Sequence, residues 1–116
     1  NMLVYLAAAD SGEAQVLGRP GIGLGVVRGL LFAETLEETT VTLQSGETVL
    51  LYTDGAIEPR NTAGEEFGER RLREAFHRYR LLPARDIVEQ LVSDIRRHVG
   101  SAQAYDDLTF IAVKIK

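Results

Sequence analysis

An apolar run that ends in an acidic residue is the feature that most restricts how this chain can fold. Residues 48–53 are almost all strand-forming, and Asp54-Gly55 follows them directly. Such a run is typical of a strand buried on both faces. Near the other end of the chain the order is inverted, because Asp106-Asp107 opens the apolar run 108–115. If the two runs are neighbouring strands, Asp54 and Asp106 meet at one edge of a sheet.

This pair of carboxylates predicts a site for a divalent metal ion. Clustered carboxylates with little positive charge nearby repel each other, and a divalent cation relieves that repulsion. Taken alone, Asp54-Gly55 is typical of a turn after a strand, and Asp106-Asp107 of a solvated pair before one. Only the joint pattern favours Mg²⁺ or Mn²⁺, with Asp54 and Asp106 as ligands.

Length and composition restrict the chain to one small domain and exclude several classes of function. It has 116 residues and a formal net charge of −4, and its basic residues form no patch free of acids. We therefore expect no nucleic-acid partner. No apolar stretch approaches the roughly 20 residues of a membrane span, so we expect no membrane partner. The lack of cysteine excludes disulfides and thiolate metal sites and fits a cytoplasmic protein.

The remaining pattern predicts strands, two helices and a final strand. Besides the runs 48–53 and 108–115, strands are expected over residues 2–9, 13–17 and 31–43. Helical spacing of apolar residues predicts one helix over 69–79 and a second starting at Pro83. Gly100 is expected to end the second helix as an αL cap. The fold class is therefore α+β, an antiparallel sheet of about five strands with two antiparallel helices on one face.

Several motifs of the chain resemble those of a known family. The residues that carry the resemblance are Leu51-Tyr52-Thr53-Asp54-Gly55-Ala56-Ile57-Glu58, Asn61, Gly64-Glu65-Glu66-Phe67-Gly68 and Asp106-Asp107-Leu108-Thr109. Together with the glycine run 21–25 and the strand and turn 41–47, they look like the C-terminal half of a SpoIIE/RsbU-type serine phosphatase domain. That family belongs to the metal-dependent PPM (PP2C-like) phosphatases, and the resemblance covers essentially residues 1–116.

The resemblance implies a fold, a reaction and two site residues. The fold would be half of a PP2C-like α-β-β-α sandwich. The reaction would be hydrolysis of phosphoserine or phosphothreonine on a regulatory protein, by analogy one in a sigma-factor pathway. By motif, Asp54 and Asp106 would ligate Mn²⁺ or Mg²⁺, and neither would be the nucleophile. Two ions about 3.5–4 Å apart would activate a water for in-line attack on phosphorus.

One departure from the family pattern affects activity. The family's other metal-binding acids lie in an acidic-Gly-Asp segment and an Asp-x-x-Gly-[His/Lys]-Gly segment, and neither occurs here. We therefore expect the chain to begin inside the domain and to be inactive alone. It would be an excised piece, a degenerate member or the ordered part of a longer protein.

A non-catalytic interaction or dimerisation module is the alternative function. The two central runs are too apolar on both faces for one side to meet water, so we expect a second copy to cover the sheet as a homodimer, either symmetric or domain-swapped. Several other residues have simpler explanations than catalysis. Tyr52 is expected to pack, Glu58 and Asn61 to stabilise a loop or support the metal site, and His77 and His98 to face solvent.

Overall fold

The strand that precedes Asp54 lies inside a four-stranded antiparallel sheet. A computed structural model describes residues 2–7, 14–17, 42–102 and 108–116, the segments 2–7 and 15–17 through their backbone only. The strands and helices in chain order are β1 Met2–Ala7, β2 Gln15–Leu17, β3 Thr48–Thr53, α1 Gly68–Tyr79, α2 Ala84–Val99 and β4 Phe110–Lys114. The sheet order is β2-β1-β3-β4, so β3 has a neighbour on each side.

The α+β class is confirmed, whereas the expected sheet of about five strands is not shown. Within the described residues the sheet has four strands. Most of the predicted strand 31–43 lies outside the described residues, and its last two positions, Thr42 and Leu43, are not in a strand. The glycine run 21–25 also lies outside them.

Strict alternation along β3 gives the sheet two different faces. Thr48, Leu50 and Tyr52 are fully buried, while the residues between them are half-buried. Residues directly opposite each other in an antiparallel pair share a face. The inner face of β3 therefore continues onto β4 through the pairs Leu50–Ala112 and Tyr52–Phe110.

The opposite side of these two strands, which we call the outer sheet face, consists of Val49, Leu51, Ile111 and Val113. These residues share a face because Val49 pairs with Val113 and Leu51 pairs with Ile111. Ile111 is 47% exposed and Val113 is 44% exposed. On β3 itself Val49 and Leu51 are half-buried, so the expected burial of β3 on both faces is complete on the inner face and partial on the outer one. Apolar composition reports how well a strand packs and does not specify which layer covers it.

Both helices bury an apolar stripe in the same core as the inner sheet face. The helical core residues are those that the 3.6-residue period selects, namely Leu72, Ala75, Phe76, Ile87, Leu91, Ile95 and Val99. Tyr52 packs in this core, as expected. No helix in the described part of the chain is both long and apolar enough to cross a membrane.

A nearly buried carboxylate connects the two helices. The Tyr79 hydroxyl donates a 2.8 Å hydrogen bond to Asp94 Oδ2, and the Asp94 side chain is only 10% exposed. Arg97 Nη1 lies 3.5 Å from Asp94 Oδ1, an ion pair by distance that lacks hydrogen-bond alignment. A buried carboxylate needs such partners to offset its desolvation, so this contact fixes how α1 and α2 pack.

Lys114 connects the sheet to the turn between the helices. Its ammonium group donates to the carbonyl oxygens of Arg80, at 3.2 Å, and Leu82, at 2.8 Å. These acceptors follow the C-terminal end of α1, where a cation is favoured by the helix dipole. At the end of α2, Gly100 has φ 58° and ψ −122°. The prediction of an αL cap is therefore right in the sign of φ and wrong in ψ.

Candidate metal centre

Asp54 lies where β3 leaves the sheet and is the first residue of a short 3-10 turn, Asp54–Ala56. Its carbonyl oxygen accepts hydrogen bonds from the amides of Ile57 and Glu58, both at 3.0 Å. Ala56 is fully buried and holds the turn against the core. The Asp54 side chain is exposed, and its carboxylate has no hydrogen bond or ion pair with the residues that the structure describes.

The edge of the sheet at Asp54 is also the edge at which β4 begins. Tyr52 pairs with Phe110, and the Thr53 amide donates to the Thr109 carbonyl at 3.4 Å. Leu108 is half-buried and packs against the core. Asp106 and Asp107 lie outside the described residues, so the convergence of Asp54 and Asp106 stays a prediction.

Residues 57–68 form a closed hairpin directly after the acidic turn, which we call the 57–68 hairpin. Three backbone hydrogen bonds join its arms: Gly68 N to Ile57 O at 2.8 Å, Phe67 N to Pro59 O at 2.7 Å, and Asn61 N to Glu65 O at 2.9 Å. Arg60 and Glu66 pair between them, and their side chains form an exposed ion pair of 3.3 Å. Since the base of the hairpin begins one residue after the 3-10 turn, its position restrains the orientation of Asp54.

Asn61 stabilises the tip of this hairpin. Its side-chain oxygen accepts hydrogen bonds from the amides of Ala63 and Glu65, both at 3.0 Å, as is typical of asparagine in turns. Gly64 has φ 79°, which favours glycine because other residues are strained there. The loop-stabilising interpretation of Asn61 is confirmed. Glu58, the other loop residue singled out from the sequence, is exposed.

The returning arm of the hairpin is attached to both helices. From α1, Arg71 Nη1 donates to the carbonyl oxygens of Glu66 and Phe67. From α2, His98 Nε2 lies 2.9 Å from the Glu65 carbonyl oxygen. The His98 ring also meets the Phe67 ring edge-on, with 5.4 Å between centroids and a 73° interplanar angle.

The prediction that His98 faces solvent is therefore right only in part. The residue is half-buried, and its exposed hydrogen bond joins α2 to a segment 33 positions earlier in the sequence. Sequence analysis missed it because its acceptor is a backbone carbonyl, which leaves no side-chain partner to find. His77 is also half-buried, and its Nδ1 has no hydrogen-bond partner among the described residues.

The chemistry of Asp54 suits a hard cation. An exposed carboxylate, here without a partner among the described residues, is the kind of oxygen ligand that Mg²⁺ and Mn²⁺ prefer. Among the residues that the structure covers, no group of three or more His, Cys, Asp or Glu side chains is arranged to hold an ion. Asp54 can therefore supply one ligand, and further oxygens would have to come from elsewhere.

Comparison with known proteins identifies the family of this chain. The sequence model of the family described as Stage II sporulation protein E (SpoIIE) matches residues 1–116. The chain belongs to the SpoIIE family. This membership confirms the resemblance read from the motifs and points to a phosphatase-type domain. No curated protein matches the chain.

The SpoIIE domain is similar to a solved PP2C domain, that of SiaA from Pseudomonas aeruginosa. The TM-score is 0.77 at 22% sequence identity. The match covers 99% of this chain and 43% of the SiaA chain, so the SpoIIE domain described here spans less than half of that relative. At this identity the likeness shows a PP2C-like fold. Phosphatases of this fold are generally metal-dependent.

Proposed function

We propose that this chain is part of a metal-dependent protein serine/threonine phosphatase, in which Asp54 and Asp106 bind the metal ions. The observation that carries the proposal is the exposed carboxylate of Asp54, which has no partner among the described residues, at the end of the sheet where β3 finishes and β4 begins, in a chain of the SpoIIE family. A strand end is a rigid place from which to hold a ligand.

The strand register supports the second ligand. The last register pair at this end is Tyr52–Phe110, and the Thr53 amide still donates to the Thr109 carbonyl. Asp54 and Leu108 are therefore the next residues beyond the last contact between the two strands. Asp106 precedes Leu108 by two residues, a separation that even a fully extended chain spans in about 7 Å. This short separation supports the proposal that both carboxylates contribute to one ion-binding cluster at this end of the sheet.

The proposed roles follow from the chemistry of phosphate-ester hydrolysis. When bound, divalent ions supply Lewis acidity that activates water and neutralises charge on the phosphoryl oxygens. Asp54 and Asp106 bind and orient the ions as oxygen ligands and are not nucleophiles. The 57–68 hairpin holds the Asp54 turn in place beside them.

The substrate proposed is a phosphoserine or phosphothreonine ester on a cytoplasmic regulatory protein. Family membership supports the reaction type, and a role in a sigma-factor pathway rests on analogy with the family alone. No feature of the described surface selects one partner protein.

We expect the 116-residue chain alone to hydrolyse phosphoserine peptides and aryl phosphates poorly, even with added Mn²⁺. Mg²⁺ and Mn²⁺ sites require about six oxygen ligands, and the sequence lacks the family's other acidic motifs. The longer parent protein should turn over both substrates only with Mn²⁺ or Mg²⁺. The measurement is phosphate release by both proteins across a Mn²⁺ titration.

The outcomes of that assay distinguish a phosphatase from a non-catalytic module. Robust Mn²⁺-dependent turnover by the isolated chain would show that it carries a complete site. A parent protein without metal-dependent activity would contradict the phosphatase proposal. It would favour the alternative function, a non-catalytic interaction module.

The outer sheet face favours a role in association. Ile111 and Val113 lie two residues apart on β4 and are exposed on the same face. On the neighbouring strand β3 they pair with Leu51 and Val49. Exposed apolar patches on a sheet commonly mark surfaces that pack against another layer. We propose that in the isolated chain a second copy packs there, sheet against sheet.

The predicted homodimer can be tested by light scattering across a dilution series. We expect the molar mass of the wild-type chain to fall from that of a dimer to that of a monomer on dilution. The double substitution Ile111→Lys with Val113→Lys should give a monomer at every concentration, because charge on this face opposes packing. Leu81→Lys, at a position 62% exposed outside the sheet, should leave the dimer intact. A wild-type chain that is monomeric throughout would contradict the prediction.

A further inference from the structure

His98 is the only side chain of α2 with a described hydrogen bond to the 57–68 hairpin. Its Nε2 lies 2.9 Å from the carbonyl oxygen of Glu65. A carbonyl oxygen can only accept, so Nε2 must carry the proton and donate it. The contact therefore exists in the Nε2–H tautomer and in the imidazolium form, and is lost in the Nδ1–H tautomer.

Glu65 lies at a central point of the hairpin. Its carbonyl oxygen also accepts the Asn61 amide at 2.9 Å, and its own amide donates to the Asn61 side chain at 3.0 Å. A single carbonyl thus joins the two arms and receives the bond from α2. Movement of this carbonyl would be transmitted to both arms, because the three ladder hydrogen bonds join them as far as Ile57 and Gly68.

The other attachments do not replace this contact. The Arg71 guanidinium belongs to α1, three residues after the hairpin ends, and its bonds to Glu66 and Phe67 are local in sequence. The ion pair between Arg71 and Glu65, at 3.4 Å, involves an exposed carboxylate, and exposed pairs contribute little. His98 adds a polar contact from α2 to the packing of Phe67, which is 5% exposed and lies in the same core as Ile95 and Val99.

We propose that His98 is a positioning residue for the metal site, because it holds the 57–68 hairpin and so fixes the orientation of Asp54. This inference rests on the proposed role of Asp54 as a metal ligand. The connection runs from the imidazole to the Glu65 carbonyl, through the ladder to Ile57, and from Ile57 to the Asp54 carbonyl oxygen. His98 itself binds neither the metal nor the substrate.

Two substitutions separate the hydrogen bond from the packing of the ring. His98→Phe keeps an aromatic ring against Phe67 and removes the donor. His98→Gln removes the ring and places an amide N–H near the position of Nε2. If the hydrogen bond is what positions the hairpin, Gln restores the behaviour that Phe loses. Tyr79→Phe is the matched control, since it also removes one hydrogen bond between elements, to Asp94, and none to the hairpin.

The test is made on the full 116-residue chain by NMR, with two readouts. The first is amide hydrogen exchange at Asn61, Phe67 and Gly68. His98→Phe should accelerate exchange there by roughly three- to tenfold, in line with the loss of one hydrogen bond. The second is paramagnetic broadening of the Asp54 and Gly55 amides by Mn²⁺. His98→Phe should raise the half-saturating Mn²⁺ concentration about tenfold, as loss of a supporting partner commonly does.

The outcomes distinguish this inference from the proposed function. In both readouts His98→Gln and Tyr79→Phe should resemble the wild type. Unchanged hydrogen exchange in His98→Phe would show that the His98 hydrogen bond does not hold the hairpin, whatever the Mn²⁺ titration gives. Faster exchange with unchanged Mn²⁺ affinity overturns the positioning role. If Mn²⁺ does not broaden Asp54 and Gly55 in the wild-type chain, Asp54 binds no ion in this chain and the positioning role is overturned, while hydrogen exchange still reports on the contact between His98 and the hairpin.

Discussion

Under the proposed function, replacing Asp54 with Asn is expected to lower kcat/KM of a longer protein that carries this domain by about 100-fold or more. Even residues that only support a metal ligand commonly contribute 10- to 100-fold, and this change removes the charge of a ligand itself. Asparagine has nearly the same shape, so the 3-10 turn, which depends on the Asp54 backbone carbonyl, should persist. The measurement is steady-state hydrolysis of a phosphoserine peptide by the parent protein in Mn²⁺.

Glu74→Gln provides the matched control, because it removes the same charge from an exposed position on α1. Its kcat/KM should equal that of the wild type. Wild-type activity in Asp54→Asn would show that this carboxylate is not a ligand. A circular dichroism spectrum unlike that of the wild type would instead indicate that the substitution disturbs the fold.

Replacing Phe76 with Ala is expected to destabilise the chain by about 3–5 kcal/mol. The Phe76 side chain is fully buried on α1, in the core that both helices share with the inner sheet face. Its loss leaves a cavity that the surrounding side chains fill only in part. Domains commonly have only about 5–15 kcal/mol of stability, so the substitution removes much of the total. The measurement is urea unfolding followed by circular dichroism.

Leu81→Ala is the control for this prediction, because Leu81 is 62% exposed and the change should stay within about 0.5 kcal/mol. If Phe76→Ala proved equally mild, α1 could not be packed against the core as described. Unfolding must be compared at one protein concentration, since any association through the outer sheet face also contributes to apparent stability.

The sequence predicted the strand β3 and both helices because their patterns are local. Residues 48–53 coincide with the observed strand. The predicted helix 69–79 differs from α1 by one residue, and Pro83 directly precedes α2. Each of these elements is specified by a period of apolar residues within one short segment.

Features that depend on contacts between distant segments were less accessible to sequence analysis. The 57–68 hairpin contains Pro59, Asn61 and Gly64, which indicate a turn but not which backbone groups pair. His98 donates to a backbone carbonyl, and such an acceptor leaves no trace in residue identities. The exposure of Ile111 and Val113 depends on which layer covers the sheet, which the composition of β4 does not encode.

The sequence motifs predict two metal ligands, and the structure describes one of them, Asp54. Asp54 lies at the edge of the sheet, as the strand-then-acid pattern indicates. The partner position, Asp106, lies outside the described residues, and its proximity to Asp54 stays a prediction. The register of β3 and β4 is the physical basis on which that prediction can be tested.

The pairing of β3 determines the order in which the chain can assemble during synthesis. Leu51 pairs with Val4 on one side and with Ile111 on the other. The helices and the backbone hydrogen bonds of the hairpin need only neighbouring residues and can form as they leave the ribosome, whereas the contact of the hairpin with His98 waits for α2. The last strand pairing cannot form until residues 110–114 have emerged, and closing so long a loop costs entropy before any contact repays it. Among the described strand pairings, the one beside Asp54 is therefore completed last, so a nascent chain holds its acidic turn well before β4 pairs with β3.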